Sequence, residues 1–227
     1  MSNPSIITRI VILKNLFLFR EWMEERPKRY VSVDVESAGR VPGIFSMISF
    51  GACLVDNLET TFYAEIKPIN RRYHRKAMEV ACKQIHLLSR KKEDLRYDSN
   101  RSEFSPSLVL DFLIQHAEPP ESAMERFYGW VEENSVGCRP VMAAAPAAFD
   151  TPFIHYYFEL FCRGRNPFGF GGEDINSMYR GAKRDCSVNI KDLNLRPAGE
   201  LSHNALEDAI QQAVEMQEVL KVMSQKK

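Results

Sequence analysis

The chain has 227 residues, of which 44% are hydrophobic and 26% are charged, and its 30 Lys and Arg residues balance its 30 Asp and Glu residues. This length supports one domain with a sizeable core, and the composition excludes a disordered, fibrous or membrane-embedded class. The neutral total charge argues against a non-specific coat for nucleic acid, and five widely spaced cysteines without a CxxC pair predict reduced thiols in a cytoplasmic protein.

The first predicted element is an apolar segment at residues 6–19, which Arg9 and Lys14 interrupt. It is too short and too charged to span a bilayer, and no small-residue cleavage site follows it, so we expect neither an anchor nor a signal peptide. We interpret residues 1–27 as a helical extension that packs on the domain or on a partner subunit, and residues 28–227 as the main domain. The alternative is a chain that truly begins near Met23.

Three strands are predicted next. Residues 30–35 alternate in character, so that three valines share one face of the strand while Asp34 and Glu36 share the other. Residues 47–55 are almost wholly apolar and predict a central strand. Residues 60–66 predict a third strand that forms an antiparallel hairpin with the second.

The remaining elements are mostly helical. Apolar spacing predicts helices within residues 71–100, 107–117, 122–133, 150–162, 174–180 and 204–222, and a short fourth strand at residues 140–145. Ser122 and Glu125 predict a capping box. The best candidate for a fifth strand is Ser187 to Ile190. This order predicts an α/β fold whose mixed sheet has an antiparallel edge.

Two acids lie side by side on the first strand. Asp34 and Glu36 would repel each other and raise each other's pKa unless a cation lay between them, and their oxygens suit Mg²⁺ or Mn²⁺. Two solvated acids at a strand end would give the same pattern. Asp150 adds a third acid where the fourth strand meets a helix, although Asp at that position also serves as a helix cap.

A histidine and a fourth acid lie at the start of the last helix. Asn204 as N-cap, with Glu207 completing a capping box, would leave His203 outside the helix and free to reach a site that Asp208 lines. Asp208 lies near the helix's apolar stripe, so we expect it to be partly buried and partnered. The predicted stripe is Leu206, Ile210, Ala213, Val214, Leu220 and Met223. A surface histidine before a cap is the alternative for His203.

In this order, Asp34-Val35-Glu36, Asp150, and His203 followed by Asp208 resemble the motifs of the DEDDh family of 3′–5′ exonucleases. The strings at residues 33–39 and 47–52 are similar to the branch that contains ribonuclease T and the proofreading exonucleases. The resemblance extends from about residue 30 to about residue 222. It implies a ribonuclease H-like fold, an α/β five-stranded mixed sheet flanked by helices, and assigns residues 28–227 as the exonuclease domain.

The resemblance also implies a chemistry. Asp34, Glu36, Asp150 and Asp208 match the family's metal-binding acids, which hold two divalent ions, Mg²⁺ or Mn²⁺, and His203 matches its general base. The implied reaction releases nucleoside 5′-monophosphates from the 3′ end of single-stranded RNA or DNA, with the choice of sugar open. Pro146 departs from the pattern, because many members carry an Asn there that helps to order the site.

Substrate-binding residues are expected around this set. Phe45, Met47 and Phe149 are candidates for stacking on the terminal base, and the resemblance places the backbone of Ser37 and the side chain of Met47 near it. For Met47 and Phe149 the alternative is core packing. Basic residues at 71–76 and 90–92 would guide phosphates or form a solvated face.

Two other roles are compatible with these residues. One is a non-catalytic nucleic-acid-binding module on the same fold, and the other is a proofreading subunit that docks through the N-terminal segment. By analogy with ribonuclease T, the same segment would instead support a homodimer.

Overall fold

The computed structural model describes residues 26–195 and 202–225, so the predicted N-terminal extension lies outside the described residues except for its last two. The sheet has the strand order β3-β2-β1-β4-β5. Its strands are β1 (Lys28–Ser37), β2 (Met47–Leu54), β3 (Asn57–Glu65), β4 (Arg139–Ala144) and β5 (Glu173–Asp174). The first three strands pair antiparallel, whereas β1 with β4 and β4 with β5 pair parallel. The mixed five-stranded sheet is therefore confirmed.

Six α-helices occur among the described residues: α1 (Arg75–Ala81), α2 (Pro106–His116), α3 (Pro120–Glu133), α4 (Ala147–Phe161), α5 (Ile175–Lys183) and α6 (Ala205–Ser224). Short 3₁₀ turns lie at His86–Lys91, Leu95–Tyr97 and Ile190–Leu193. Within the described ranges, no helix has both the length and the apolar character that crossing a bilayer requires.

The sheet is covered on both faces. The three valines of β1 pack with Phe50, Phe127 and Phe153 in a core beneath α3 and α4. The opposite face packs against α5 and α6, through residues such as Ala213 and Met216. Each large side chain that is fully buried in this way contributes roughly 1.5–3 kcal/mol, so apolar packing fixes which face of β1 the acids occupy.

β1 extends beyond its parallel neighbour. Its pairing with β4 ends at Ser32 opposite Ala143, whereas its pairing with β2 continues to Ser37 opposite Met47. Residues 33–37 of β1 therefore border an open edge, into which the start of α4 fits. This overhang carries both acids of the first strand.

The start of α6 approaches β2 very closely. A Cβ added to Gly51 would lie 2.4 Å from backbone atoms of Leu206, so only glycine permits this contact. The predicted apolar stripe of α6 is confirmed in part. Ala213 is buried, and Ile210 and Leu220 are partly buried against the core, whereas Met223 is exposed. Small residues face the sheet where the helix comes closest to it. The apolar residues that are buried are Ala205, Ala209, Ala213, Met216 and Val219.

Two local predictions also differ. The fifth strand is Glu173–Asp174 beside Ala143 and Ala144, and not residues 187–190, because two residues are too few to show an alternating pattern. α3 begins after Pro119, and Ser122 donates to the Glu118 carboxylate instead of capping the helix.

Helix boundaries differ in the basic region and at α5. The helix-prone residues 71–100 form one short α-helix and two 3₁₀ turns. α5 continues past the predicted end at residue 180 to Lys183, and the C-cap residue Arg184 adopts a left-handed conformation with φ of 57°. Arg184 therefore supplies the left-handed backbone geometry that often ends a helix at glycine.

Candidate active site

Of the two acids of β1, Asp34 is partly buried and Glu36 is enclosed. Glu36 is only 8% exposed. Burial, followed by the charges of Asp34 and Asp208, raises the pKa of Glu36 well above its usual value, while Lys83 acts in the opposite direction. Two exposed acids at a strand end would not behave in this way, so the geometry favours a built site.

Asp150 reaches the same place from α4. Its Oδ1 accepts a hydrogen bond of 3.0 Å from the Val35 N–H on the open edge of β1, and the residue is 2% exposed. Burial, followed by the charge of Asp34, raises its pKa well above the usual range, and Glu36 adds to this effect. α4 begins after Pro146 instead, so Asp150 is not the N-cap.

Asp208 joins the group from α6 and also anchors the chain in front of that helix. Its Oδ1 accepts hydrogen bonds of 3.1 Å from both the N–H and the Oγ of Ser202, and its Oδ2 accepts one of 3.0 Å from the N–H of His203. Burial raises its pKa, against the opposing effects of Ser202 and His203. The predicted burial of Asp208 is confirmed.

His203 lies directly before the N-cap, as predicted. Asn204 caps α6 by accepting from the N–H groups of Leu206 and Glu207, but its own N–H donates to Ser202, so Glu207 forms no capping box. His203 has a left-handed backbone with φ of 57°, which costs a non-glycine residue roughly 1–2 kcal/mol. Its Nδ1 lies 4.0 Å from Oε1 of Glu36. The turn that Asp208 holds therefore aims the imidazole at the acids.

The residues present fit a divalent cation. Ligand atoms of Glu36, His203 and Asp208 all lie within 4.8 Å of one another. Burial raises the pKa of Glu36, Asp150 and Asp208, and the charge of Asp34 raises the pKa of Glu36 and Asp150 further. A cation between the carboxylates would relieve that repulsion. Because most of the donors are carboxylate oxygens, Mg²⁺ or Mn²⁺ suits them best.

The sequence reasoning missed Gln212. Its Nε2 donates a hydrogen bond of 2.7 Å to Oδ1 of Asp34, and its Oε1 accepts one of 2.8 Å from the Ala145 N–H. The residue is 3% exposed and lies one helical turn beyond Asp208. A polar residue four positions after a candidate ligand was the available signal. Gln212 fixes one Asp34 oxygen against the end of β4, beside Pro146.

We expect Gln212→Ala to weaken the response of the protein to Mn²⁺ about 10- to 100-fold, the usual loss when a group that orients a ligand is removed. The concentration of Mn²⁺ needed for half-maximal thermal stabilisation measures this effect. Gln217→Ala is the matched control, because Gln217 donates a 2.7 Å hydrogen bond from the same helix to the Val55 carbonyl, away from the acids. An equal response in both variants would contradict the positioning role.

Acid repulsion makes a prediction about stability. Because the pKa of Glu36 is raised on folding, its contribution to stability is present at acidic pH and is lost as pH rises from the ordinary glutamate range. In EDTA, Glu36→Gln should therefore melt at a higher temperature than wild type at pH 7.5, and the difference should shrink towards pH 4. Thermal melts across pH measure both. A difference that stays constant with pH would contradict this account.

The four substrate-binding candidates differ in their burial and in the residues that they contact. Met47 is fully buried and its N–H donates to Tyr157 Oη at 2.9 Å, which favours the core-packing alternative. Phe149 is half-buried beside Phe153. Phe45 is partly buried and covers Gly39, where an added Cβ would lie 2.4 Å from its ring. Ser37 is buried and donates to the Gly39 carbonyl, so its backbone follows the acids directly.

Comparison with known sequences identifies relatives over most of the chain. Residues 29–220 match the family model described as the 3′-5′ exoribonuclease Rv2179c-like domain. The chain is 32% identical over 208 residues to the 3′-5′ DNA exonuclease Cap18 of Escherichia coli, and the match covers 87% of this chain and 94% of that protein.

Solved structures share the fold at lower identity. The nuclease domain of 3′hExo, a DEDDh family member bound to rAMP, matches with a TM-score of 0.53 and 12% identity over 87% of this chain and 92% of that one. Escherichia coli exonuclease I in complex with a dT13 oligonucleotide matches with a TM-score of 0.54 and 12% identity over 88% of this chain and 42% of that one. The chain therefore shares its fold with that DEDDh family member and with exonuclease I.

Proposed function

Because the chain belongs to the family of 3′-5′ exoribonuclease Rv2179c-like domains, we propose that it removes nucleotides one at a time from the 3′ end of single-stranded nucleic acid by a two-metal-ion reaction. The observation that carries this proposal is the convergence of Asp34, Glu36, Asp150 and Asp208 from three different elements, with His203 facing them. A structural domain with coincidental acids would have no reason to bring four of them together and bury three, Glu36, Asp150 and Asp208.

In the proposed reaction, Asp34, Glu36, Asp150 and Asp208 would hold two Mg²⁺ or Mn²⁺ ions. When bound, such ions supply charge stabilisation at the scissile phosphate and favour deprotonation of the attacking water. His203 accepts the proton of that water as general base, since an imidazole titrates near neutral pH. The water attacks phosphorus, the bond to the 3′ oxygen of the preceding nucleotide breaks, and a nucleoside 5′-monophosphate leaves.

The chain's own hydrogen bonds support this arrangement before any substrate arrives. Asp34 is held by Gln212, Asp150 by the Val35 N–H, and the backbone of His203 by Asp208. Groups fixed in this way lose little freedom when the transition state forms, which is how a preorganised site lowers a barrier. Three elements of the fold thus supply both the ligands and their supports.

The direct test uses single-stranded RNA and DNA oligonucleotides of the same sequence, labelled at the 5′ end, with Mg²⁺, Mn²⁺ or EDTA. We expect a ladder that shortens from the 3′ end, release of 5′-mononucleotides, and no activity in EDTA. A circular single strand of the same composition serves as the control, because it has no 3′ end. Cleavage of the circle, or release of fragments longer than one nucleotide, would contradict an exonuclease that removes nucleotides one at a time. The ratio of the rate on RNA to the rate on DNA gives the sugar preference.

The setting of the protein is a further part of the proposal. All five cysteines are free, and Cys53, Cys82 and Cys162 are buried among apolar groups. This pattern supports a reducing compartment such as the cytoplasm. Homodimerisation through residues 1–27 stays a prediction, which sedimentation of the full chain would measure.

A further inference from the structure

A cavity of about 330 Å³ opens within the segment that follows α1. We call it the basic cavity and define it by Lys83, His86, Lys91, Lys92 and Tyr97, which are among the residues that line it. Its volume lies at the lower end of the range for small-ligand sites, which is roughly 300–1,000 Å³. It therefore has room for about one nucleotide.

The basic cavity adjoins the acidic site. The side-chain amide of Asn204, next to His203 in the chain, lies 3.3 Å from Nε2 of His86 and 3.4 Å from the carbonyl oxygen of Gln84. On the same side, Lys83 is close enough to Glu36 to act on its carboxylate. A nucleic-acid strand whose 3′ end lies over the acids would thus meet the cavity close to His203, the candidate general base.

The charge of the basic cavity suits a phosphate. The chain as a whole is neutral, yet these walls carry three lysines and a histidine. The single acid of the lining, Asp98, already accepts from Asn100 and Arg101. Four clustered carboxylates would repel an approaching polyanion, so neighbouring cations are the groups that can steer it.

Lys92 differs from Arg71 and Arg75, which are paired with acids. Arg71 is paired with Asp111 at 2.6 Å and Arg75 with Glu79 at 2.9 Å, which supports a solvated face for those predicted phosphate guides. Lys92 is exposed and, within the described part of the chain, forms no ion pair. Its ammonium is thus available to a ligand.

An aromatic wall completes the basic cavity. The Lys91 ammonium lies 5.7 Å from the Tyr97 ring centroid and 5.4 Å from that of Phe112, so cation–π contacts fix the position of this wall. Cationic groups interleaved with an aromatic ring are typical of surfaces that bind single strands, where one base stacked on a ring contributes roughly 1–3 kcal/mol.

We propose that the basic cavity binds the nucleotide on the 5′ side of the scissile bond, with its phosphate at Lys92 and Lys91 and its base against Tyr97. This inference rests on the proposed function, since it needs a strand whose 3′ end occupies the acidic site. It identifies the substrate as an oligonucleotide of at least two residues, and predicts that a mononucleotide ester leaves the cavity unfilled.

The test compares two substrates, a single-stranded oligonucleotide and the p-nitrophenyl ester of thymidine 5′-monophosphate, which carries no nucleotide on that side. In Lys91→Gln/Lys92→Gln the ratio of kcat/KM for the oligonucleotide to kcat/KM for the ester should fall at least about tenfold. The slope of the logarithm of the oligonucleotide binding constant against the logarithm of the salt concentration should become shallower by about 1.4. This corresponds to roughly 0.7 for each of the two lost phosphate contacts. Tyr97→Leu should lower the same ratio, and Tyr97→Phe should keep it.

The matched control is Lys28→Gln/Lys221→Gln, which makes the same charge change at the start of β1 and near the end of α6. For this control variant, the ratio of kcat/KM for the oligonucleotide to kcat/KM for the ester should equal that of wild type. Equal losses on both substrates, or an unchanged ratio in the cavity variant, would overturn the inference. If the wild type hydrolyses neither substrate, the proposed function fails by itself. Anisotropy of a fluorescent oligonucleotide in Ca²⁺ then decides the inference, because equal affinity of the wild type and the cavity variant would exclude it.

Discussion

Asp34→Asn is expected to lower kcat/KM for 3′-ended oligonucleotides by about 10³-fold or more in saturating Mn²⁺. Loss of a carboxylate ligand removes charge stabilisation worth several kcal/mol, and each 1.36 kcal/mol is a factor of ten in rate. Asp34 acts on both Glu36 and Asp150, so its charge is central to the acidic group. Single-turnover hydrolysis of the labelled oligonucleotide measures the effect.

The fold should survive this substitution. Asn keeps an oxygen at the position where Gln212 Nε2 donates, and the change removes a charge that raises the pKa of two buried acids. The Asp34→Asn protein should therefore melt in EDTA at least as high as wild type at pH 7.5. Asp56→Asn is the matched control, because that acid pairs with Arg29 on the surface between β2 and β3. Equal turnover in wild type and Asp34→Asn would remove the catalytic assignment.

The parts of the site that local pattern encodes were predictable from the sequence. The alternation of β1 places Asp34 and Glu36 on one face, and the capping pattern at Asn204 places His203 outside α6. Both patterns act within a few residues and need no knowledge of the rest of the fold. The order of the motifs along the chain then suggested a family and, with it, the sheet.

The parts that depend on distant contacts were not predictable in the same way. The face that α6 buries follows from its approach to Gly51, more than 150 residues earlier in the chain. The role of Gln212 depends on the same approach, since it spans from α6 to both Asp34 and Ala145. A hydrophobic pattern cannot reveal a polar residue that is buried because its hydrogen bonds are satisfied.

His203→Ala is expected to lower kcat by about 10²- to 10⁴-fold, the usual contribution of a positioned general base. The backbone N–H at position 203 would still donate to Asp208, so the turn before α6 should persist. If His203 is the general base, the affinity of the variant for Mn²⁺, measured by calorimetry without substrate, should differ from that of wild type by less than threefold. The competing role is that of a ligand, because an imidazole nitrogen lies in the same grouping as Glu36 and Asp208. Loss of Mn²⁺ affinity together with turnover would favour the ligand.

Backbone strain is the remaining explanation that a His203 variant must exclude. With φ of 57°, alanine at this position carries a strain similar to that of histidine, whereas glycine carries almost none. His203→Gly therefore removes the imidazole and relaxes the turn, while His203→Ala removes the imidazole alone. If the imidazole acts as the base, both variants should lose kcat to the same extent, although their melting temperatures differ. Recovered turnover in the glycine variant would instead assign the loss to a displaced turn, and the proton would then need another acceptor.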